Sequence, residues 1–443
     1  MTDRAPLPGN MPNAYQPGRG NLGPTEQSLV ARRQKLLGPA YRLFYETPVH
    51  LVRGEGVWLY DPQGNAYLDT YNNVASVGHC HPHVVDATAR QAAKFASHTR
   101  YLHDGVLAYA EKLLSYFPPE LSHVMFTCTG SEANDLAFRI VHAHTGGTGF
   151  IVTENAYHGV TAAISAMSPS LGTGVALGSH VRTIPAPDPL RMGGNLGAAL
   201  AAEVQRAIDD LTRHGIQPAA LIVDTIFSSD GVYVDPAGFL APAVEVIHRA
   251  GGLFIADEVQ PGFGRTGGSM WGFQRHGILP DLVSLGKPMG NGYPIAGLVM
   301  QPAVIEAFAA RARYFNTFGG NAVAAATAMA VLEVIETEGL MQNAATVGAY
   351  FRAGLADLAT RHPALGPIRS AGLFLGAEIV VGGDPLQPDA ERTARVVNHL
   401  RAARVLISAT GPRANVLKIR PPLVFSNGNV DLFLDRLEEA LRA

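Results

Sequence analysis

The sequence predicts an α/β protein: a mainly parallel sheet with helices on both faces, followed by a smaller α+β C-terminal domain. Two observations carry that expectation. Between residues of about 85 and 325, helical stretches alternate with short apolar runs at 123–126, 149–152, 220–223, 253–256, 282–284 and 296–299. Runs that are apolar throughout, rather than alternating, are what strands buried on both faces require. After Asn321 the pattern changes, and an alanine-rich helical run over 322–336 leads into helices and strands that continue to near Ala443.

The segments ahead of that sheet read differently. Residues 1 to about 25 are rich in proline, glycine and asparagine and read as a mobile arm that orders only against a partner. A polar helical stretch follows over 25–37. Over 52–70, Gly54, Gly56 and the Asp61-Pro62-Gln63-Gly64-Asn65 turn separate short alternating segments, which predicts a small antiparallel sheet. The alanine and leucine richness of 199–212 and 301–313 fits amphipathic helices, with no internal repeat or low-complexity tract.

Composition narrows the function. A chain of 443 residues that is 47% hydrophobic can bury a large core in two or three domains. Its 34 Lys+Arg and 37 Asp+Glu are interspersed and leave a formal net charge of -3, so there is no basic stripe for nucleic acid and no acidic tail. Small-molecule partners are expected. Only Cys80 and Cys128 occur, too few for a disulfide framework, and a reducing compartment, the cytoplasm, is the simplest expectation. The first residues lack the hydrophobic run of a signal peptide, and no apolar stretch reaches the ~20 residues of a membrane span.

The candidate chemistry centres on Lys287, within Ser284-Leu285-Gly286-Lys287-Pro288-Met289-Gly290-Asn291-Gly292. A primary amine can form a Schiff base with a carbonyl. Upstream, the apolar run at 252–256 ends in Asp257-Glu258-Val259-Gln260, which puts carboxylates where such strands open into a site. An aspartate after a buried strand needs a cation or a hydrogen-bonded network. A protonated pyridine nitrogen would satisfy it, and lysine with an upstream aspartate is the pyridoxal phosphate pattern. Asp257 alone also fits an aspartate that caps a loop.

Three further elements gain meaning in company. The segment 127–135 joins a strand to a helical run, and its small hydroxyls and Gly130 leave backbone N–H groups free for a phosphate. Ser131 with Asn134 and Asp135 fits a plain capping box as well. Tyr157 follows the next strand, where its ring could stack on a flat heterocycle or simply pack. Thr317, with Gly319 and Gly320 before a helix, is also suited to phosphate. His79-Cys80-His81 brings imidazole and thiolate together, but no second cluster lies at ligand spacing, so no metal site is predicted.

In combination, Thr129-Gly130-Ser131-Glu132-Ala133-Asn134, Tyr157-His158-Gly159, the run from Asp257 through Gly262-Phe263-Gly264-Arg265-Thr266-Gly267, and Gly286-Lys287 closely resemble class III aminotransferases of fold type I. The resemblance runs from about residue 52 to the C-terminus. It implies a seven-stranded, mainly parallel sheet and the pyridoxal 5'-phosphate cofactor. Its implied division is an arm, helix and small sheet over 1–70, a large cofactor-binding domain over 71–325 and a small domain over 326–443. Lys287 would be the catalytic Schiff-base lysine and Asp257 the partner of the pyridinium nitrogen. Gln260 would hold the phenolic oxygen, Tyr157 and Val259 would sandwich the ring, and Gly130 and Ser131 would bind phosphate. The family also implies a homodimer with shared active sites, in which Thr317 reaches the phosphate bound by the other subunit. In the same family Gly78, His79 and Pro82 form a structural turn.

The cofactor does not choose the reaction, because the carbanion it stabilises has several fates. Class III transaminases that handle keto acids often use an arginine within the segment that matches 415–423, and here Lys418 holds that place while Arg420 replaces a small residue. Lysine is a point charge that suits phosphate better than a planar carboxylate. Asp224 stands where the family has a glutamate after the fourth strand. These departures, with the segments 71–82, 100–104, 286–292 and 314–321, are similar to the ethanolamine-phosphate phospho-lyase branch. That branch implies elimination of phosphate from an O-phosphorylated amino alcohol such as phosphoethanolamine, giving aldehyde, ammonia and phosphate. Arg100, His103, Lys418 and Arg420 are the candidates for the substrate phosphate, with Asn73 and Tyr101 near the amine. The alternative is an omega-amino acid or amine:pyruvate transaminase. A non-catalytic scaffold is the third reading, and intact Lys287 and Asp257 argue against it.

Overall fold

The computed structural model describes Met11 and residues 13–443. Strands β1 (Arg53–Glu55), β2 (Trp58–Tyr60) and β3 (Ala66–Asp69) form the expected antiparallel meander. Its second turn is fixed by Asp61, whose Oδ1 accepts the N–H groups of Gln63 and Asn65.

The central sheet has seven strands: β4 (His123–Thr127), β5 (Gly149–Thr153), β6 (Val181–Ile184), β7 (Pro218–Asp224), β8 (Leu253–Asp257), β9 (Leu282–Leu285) and β10 (Ala296–Met300). They run in the order β4-β10-β9-β8-β7-β5-β6. Strand residues alternate between two cores, as the pleat requires. On one face Phe150, Val152, Ile222 and Ile255 pack with Leu136 and Ile140 of the helix Gly130–Thr145 and with Phe308 of Pro302–Ala309. On the other, Ile151, Leu221, Val223, Phe254 and Ala256 meet the helices Leu196–Arg213, Ala241–Arg249 and Ala322–Thr337.

Two strands differ from the sequence reading. β10 is antiparallel to both of its neighbours, because the segment from Leu285 to Ala296 is too short for the dozen or more residues of a parallel crossover. β6 has no apolar run to announce it, since Arg182 and Thr183 occupy two of its four positions. The helix expected over 301–313 is also shorter, Pro302–Ala309.

Antiparallel strands β11 (Leu365–Ala371) and β12 (Phe374–Ile379) start the third sheet. The chain then crosses to the first sheet, where β13 (Val405–Leu406) pairs parallel with β3, and returns as β14 (Ser408–Thr410) and β15 (Val416–Ile419). The order of that sheet is β11-β12-β15-β14. Behind it, Phe351 of the helix Leu340–Arg361 stacks on Phe425 and meets Phe433 of Asn427–Arg442 edge-on.

The expected mobile arm needs a correction, apart from residues 1–10 and 12, which lie outside the described residues. Asn13 is buried; its backbone carbonyl accepts from Tyr45 N–H, and its Oδ1 accepts from Ser408 Oγ at 2.9 Å. Tyr15 N–H donates to Leu43 at 2.8 Å. This stretch orders against its own chain because the Asn13 carbonyl, Asn13 Oδ1 and Tyr15 N–H find partners there. The helix Pro24–Leu37 buries none of its residues.

Candidate active site

The carboxyl ends of β4, β5, β7, β8 and β9 open on one edge of the central sheet, where ligands of such sheets bind. After β4, Thr129 caps the helix Gly130–Thr145: its Oγ1 accepts Glu132 N–H at 3.2 Å, and Glu132 Oε2 accepts the N–H of Thr129 and Cys128. The capping box therefore belongs to Thr129 and Glu132, not Ser131. Ser131 Oγ accepts Val160 N–H at 3.2 Å instead, which ties the first turn to the loop after β5.

That loop presents Tyr157 and His158. Asp257, at the end of β8, is buried, and its Oδ2 receives His158 Nδ1 at 2.7 Å and Asn134 Nδ2 at 3.1 Å. Its Oδ1 receives Val259 N–H at 3.1 Å. Lys287 opens the turn after β9, with its ammonium 5.9 Å from the centre of the Tyr157 ring. Burial, aided by the charge of Arg420, lowers the Lys287 ammonium to about 8 against the pull of Asp257 and Asp224.

Gly130, Ser131, Tyr157, Asp257, Val259, Gln260 and Lys287 line one cavity of about 280 Å³. Its floor admits little more than backbone. A Cβ on Gly130 would stand 3.0 Å from Val259 Cγ2, and one on Gly159 would fall 2.6 Å from Ser131 Oγ. A helix start at Gly130 and Ser131, the fixed Asp257 carboxylate and the Lys287 amine on the wall of one cavity make up a donor set that suits a phosphorylated pyridine aldehyde.

A second cavity of about 490 Å³ shares Tyr157, Gln260 and Lys287 with the first and continues to Tyr71, Lys418 and Arg420. Lys418 and Arg420 leave β15 and are both buried. Lys418 Nζ donates to Ser228 Oγ at 3.4 Å. Burial and the nearby Arg420 push its ammonium well below the ordinary lysine value, while Asp224 and Asp230 oppose that shift. Arg420 Nη1 donates to Gln260 Oε1, the oxygen that also takes Asn73 Nδ2 at 2.9 Å. Asp224 accepts the N–H of Ile226 and Ser228, so it caps the turn after β7 while facing the first cavity.

Five expected residues line neither of these cavities: Asn73, which is buried and donates to Gln260, and four others. Arg100 lies over the Phe315 ring at 3.7 Å, Tyr101 stacks on His98, and His103 Nδ1 accepts Gly105 N–H to cap the helix Asp104–Leu114. Thr317 is exposed beside Phe318. Within the chain, these four belong to an outer surface rather than to the Lys287 pocket. The sequence reading missed His158 and Asn134 as partners of Asp257, and Tyr71 as a wall of the second cavity. A buried asparagine in the first turns of a helix was the available signal.

The family model for Aminotransferase class-III matches residues 44–441. The chain belongs to the class-III aminotransferase family. Its cofactor is accordingly pyridoxal phosphate, which the donor set just described fits. A Drosophila melanogaster class-III relative, alanine--glyoxylate aminotransferase 2-like, is 38% identical over 98% of this chain and 91% of its own length. The Caenorhabditis elegans ethanolamine-phosphate phospho-lyase homolog 1 is 33% identical over 94% of each chain. Among solved structures, a phospholyase from Arthrobacter in complex with phosphoethanolamine superposes with a TM-score of 0.90 at 42% identity, covering 94% of this chain and 99% of that one. A Bacillus anthracis aminotransferase gives 0.84 at 27% identity, covering 96% and 100%. No helix among the described residues is long and apolar enough to cross a membrane.

Proposed function

We propose that the chain is a phospho-lyase that removes phosphate from an O-phosphorylated amino alcohol such as phosphoethanolamine, releasing aldehyde, ammonia and phosphate. The observation that carries this reading is the pair of buried cations, Lys418 and Arg420, in a cavity continuous with Lys287. Two buried basic groups with no carboxylate hydrogen-bonded to either among the described residues are costly in an empty pocket and favourable once a dianion enters. Similarity to the Arthrobacter phospholyase supports the same substrate class.

Asp257 would hold the pyridinium nitrogen of the cofactor, Gln260 its phenolic oxygen and Gly130 and Ser131 its phosphate, with Tyr157 and Val259 against the ring. When bound, the cofactor supplies an electron sink next to the substrate nitrogen. Lys287, whose ammonium is lowered to about 8, accepts the proton from the carbon that bears nitrogen. The C–O bond on the neighbouring carbon breaks, and phosphate leaves with that electron pair while Lys418 and Arg420 hold it. Water then completes the conversion to acetaldehyde and ammonia.

Thr317, Arg100, Tyr101 and His103 would act across a homodimer, as the exposed Tyr101, Leu102, Phe315 and Phe318 offer an apolar surface for a second copy. The free thiols of Cys80 and Cys128 suit the cytoplasm.

A second reading, amine or amino acid transamination, is favoured by the 38% identity to the Drosophila aminotransferase 2-like protein. One assay separates the two. Purified protein with phosphoethanolamine and no keto acid yields inorganic phosphate and acetaldehyde if the lyase reading holds. No phosphate release, together with alanine formation from pyruvate and an amine, would establish the transaminase instead.

A further inference from the structure

Arg420 is clamped from three directions. Its backbone N–H donates to Thr70 at 2.9 Å, its Nη1 donates to Gln260 Oε1, and its guanidinium carbon lies 4.2 Å from the centre of the Tyr71 ring. Its Nε is buried and has no partner. The ring beneath it is itself fixed. Asp69, fully buried, accepts Tyr71 N–H at 3.0 Å and Asn72 N–H at 2.9 Å on Oδ1, and meets His79 Nε2 at 2.7 Å on Oδ2. Phe44 braces the Tyr71 ring edge-on at 5.6 Å and 88°. The Tyr71 hydroxyl has no partner among the described residues.

The charges around Arg420 explain why a ring stands there. Lys287, Lys418 and Arg265 all have lowered pKa values, first through burial and then through the field of Arg420, so the guanidinium stands among like charges. A carboxylate in place of the ring would relieve that repulsion, but it would also neutralise the guanidinium and occupy the N–H groups that an incoming anion needs. An aromatic face attracts the guanidinium plane through its quadrupole and uses none of its donors. We infer that Tyr71 is the positioning residue that fixes Arg420 as an anion receptor, and that its ring, not its hydroxyl, sets the affinity of the cavity for the phosphate group of the substrate. This inference rests on the phospho-lyase reading of the cavity.

The test uses the cofactor-loaded protein and inorganic phosphate, whose binding by isothermal titration needs no turnover. Tyr71→Ala is expected to weaken phosphate roughly 3- to 30-fold, and to raise the KM for phosphoethanolamine by the same factor with a smaller change in kcat. Tyr71→Phe should bind phosphate as the wild type does, and both variants should keep the visible band of the bound cofactor. Wild-type affinity in Tyr71→Ala, or equal losses in Ala and Phe, would overturn the role of the ring. Arg420→Gln separates the two levels. If it abolishes phosphate binding while Tyr71→Ala does not, only this inference fails. If the wild type itself binds no phosphate, the reading of the cavity fails with it.

Discussion

His158 Nδ1 lies 2.7 Å from Oδ2 of Asp257, with both side chains buried. An ionised carboxylate only accepts, so Nδ1 is the donor, and Asn134 Nδ2 reaches the same oxygen at 3.1 Å while donating to the His158 carbonyl at 2.8 Å. The three side chains form a closed unit whose purpose is the direction of the Asp257 carboxylate. A hydrogen bond to a charged group contributes about 1.5–3 kcal/mol. His158→Ala is therefore expected to weaken pyridoxal phosphate binding roughly 10- to 100-fold, read by absorbance titration of cofactor-free protein. An unchanged dissociation constant would show that Asn134 and Val259 N–H suffice to orient the aspartate.

The amine of Lys287 must be neutral to attack a carbonyl. Its pKa is lowered to about 8, against about 10.4 for an exposed lysine, so cofactor capture by cofactor-free protein should accelerate with pH and level off just above 8. A rate still rising at pH 10 would contradict the buried site. The same shift sets a sign for stability. The unfolded chain binds the extra proton between about 8 and 10.4, so the contribution of this group rises with pH in that window and is flat below it.

Much of the framework was legible because it is local. Apolar runs bounded by turns announced β4, β5, β7, β8 and β9, and each catalytic candidate follows one of them within a few residues. β6 escaped because Arg182 and Thr183 break its apolar run, and the direction of β10 depended on counting the residues between Leu285 and Ala296. The contacts of Asp257 were harder to read. His158 and Asn134 lie 99 and 123 residues from it in sequence, and no local pattern encodes a meeting over that distance. Arg100, Tyr101 and His103 matched a motif, but the structure of the single chain puts them on an outer surface with Phe315.

On the proposed reading, Lys418 serves substrate binding and not cofactor binding. Its ammonium touches Ser228 and faces the ring of Phe374 at 5.7 Å, and it lines the second cavity but not the first. Lys418→Met keeps the stem and removes the charge. It is expected to leave the cofactor band intact while raising the KM for phosphoethanolamine roughly 10- to 100-fold, as loss of a charged hydrogen-bond donor to phosphate implies. Loss of the band with no change in KM would move Lys418 from the substrate to the cofactor.

Gly159 is a tight point in the lining of the cavity proposed to hold the cofactor. Its φ is +141°, a region that side-chain-bearing residues rarely enter, and a Cβ there would meet Ser131 Oγ at 2.6 Å, Cα at 2.7 Å and Cβ at 2.8 Å. All three atoms belong to Ser131, in the first turn of the helix proposed to hold the phosphate, and its Cα and Cβ are fixed by that helix, so rotation of the hydroxyl cannot relieve the contact. Gly159→Ala must push the loop after β5 away from the helix start, breaking the 3.2 Å hydrogen bond from Val160 N–H to Ser131 Oγ. Because the helix core of Leu136, Ala137 and Ile140 lies deeper in the protein, the fold should persist with a modest loss of about 1–3 kcal/mol, typical of local backbone strain. Cofactor affinity should fall at least about tenfold, the factor that 1.4 kcal/mol represents. Thermal unfolding with and without pyridoxal phosphate reads both effects at once, and full stabilisation of the variant by the cofactor would show that the loop yields without disturbing the phosphate site.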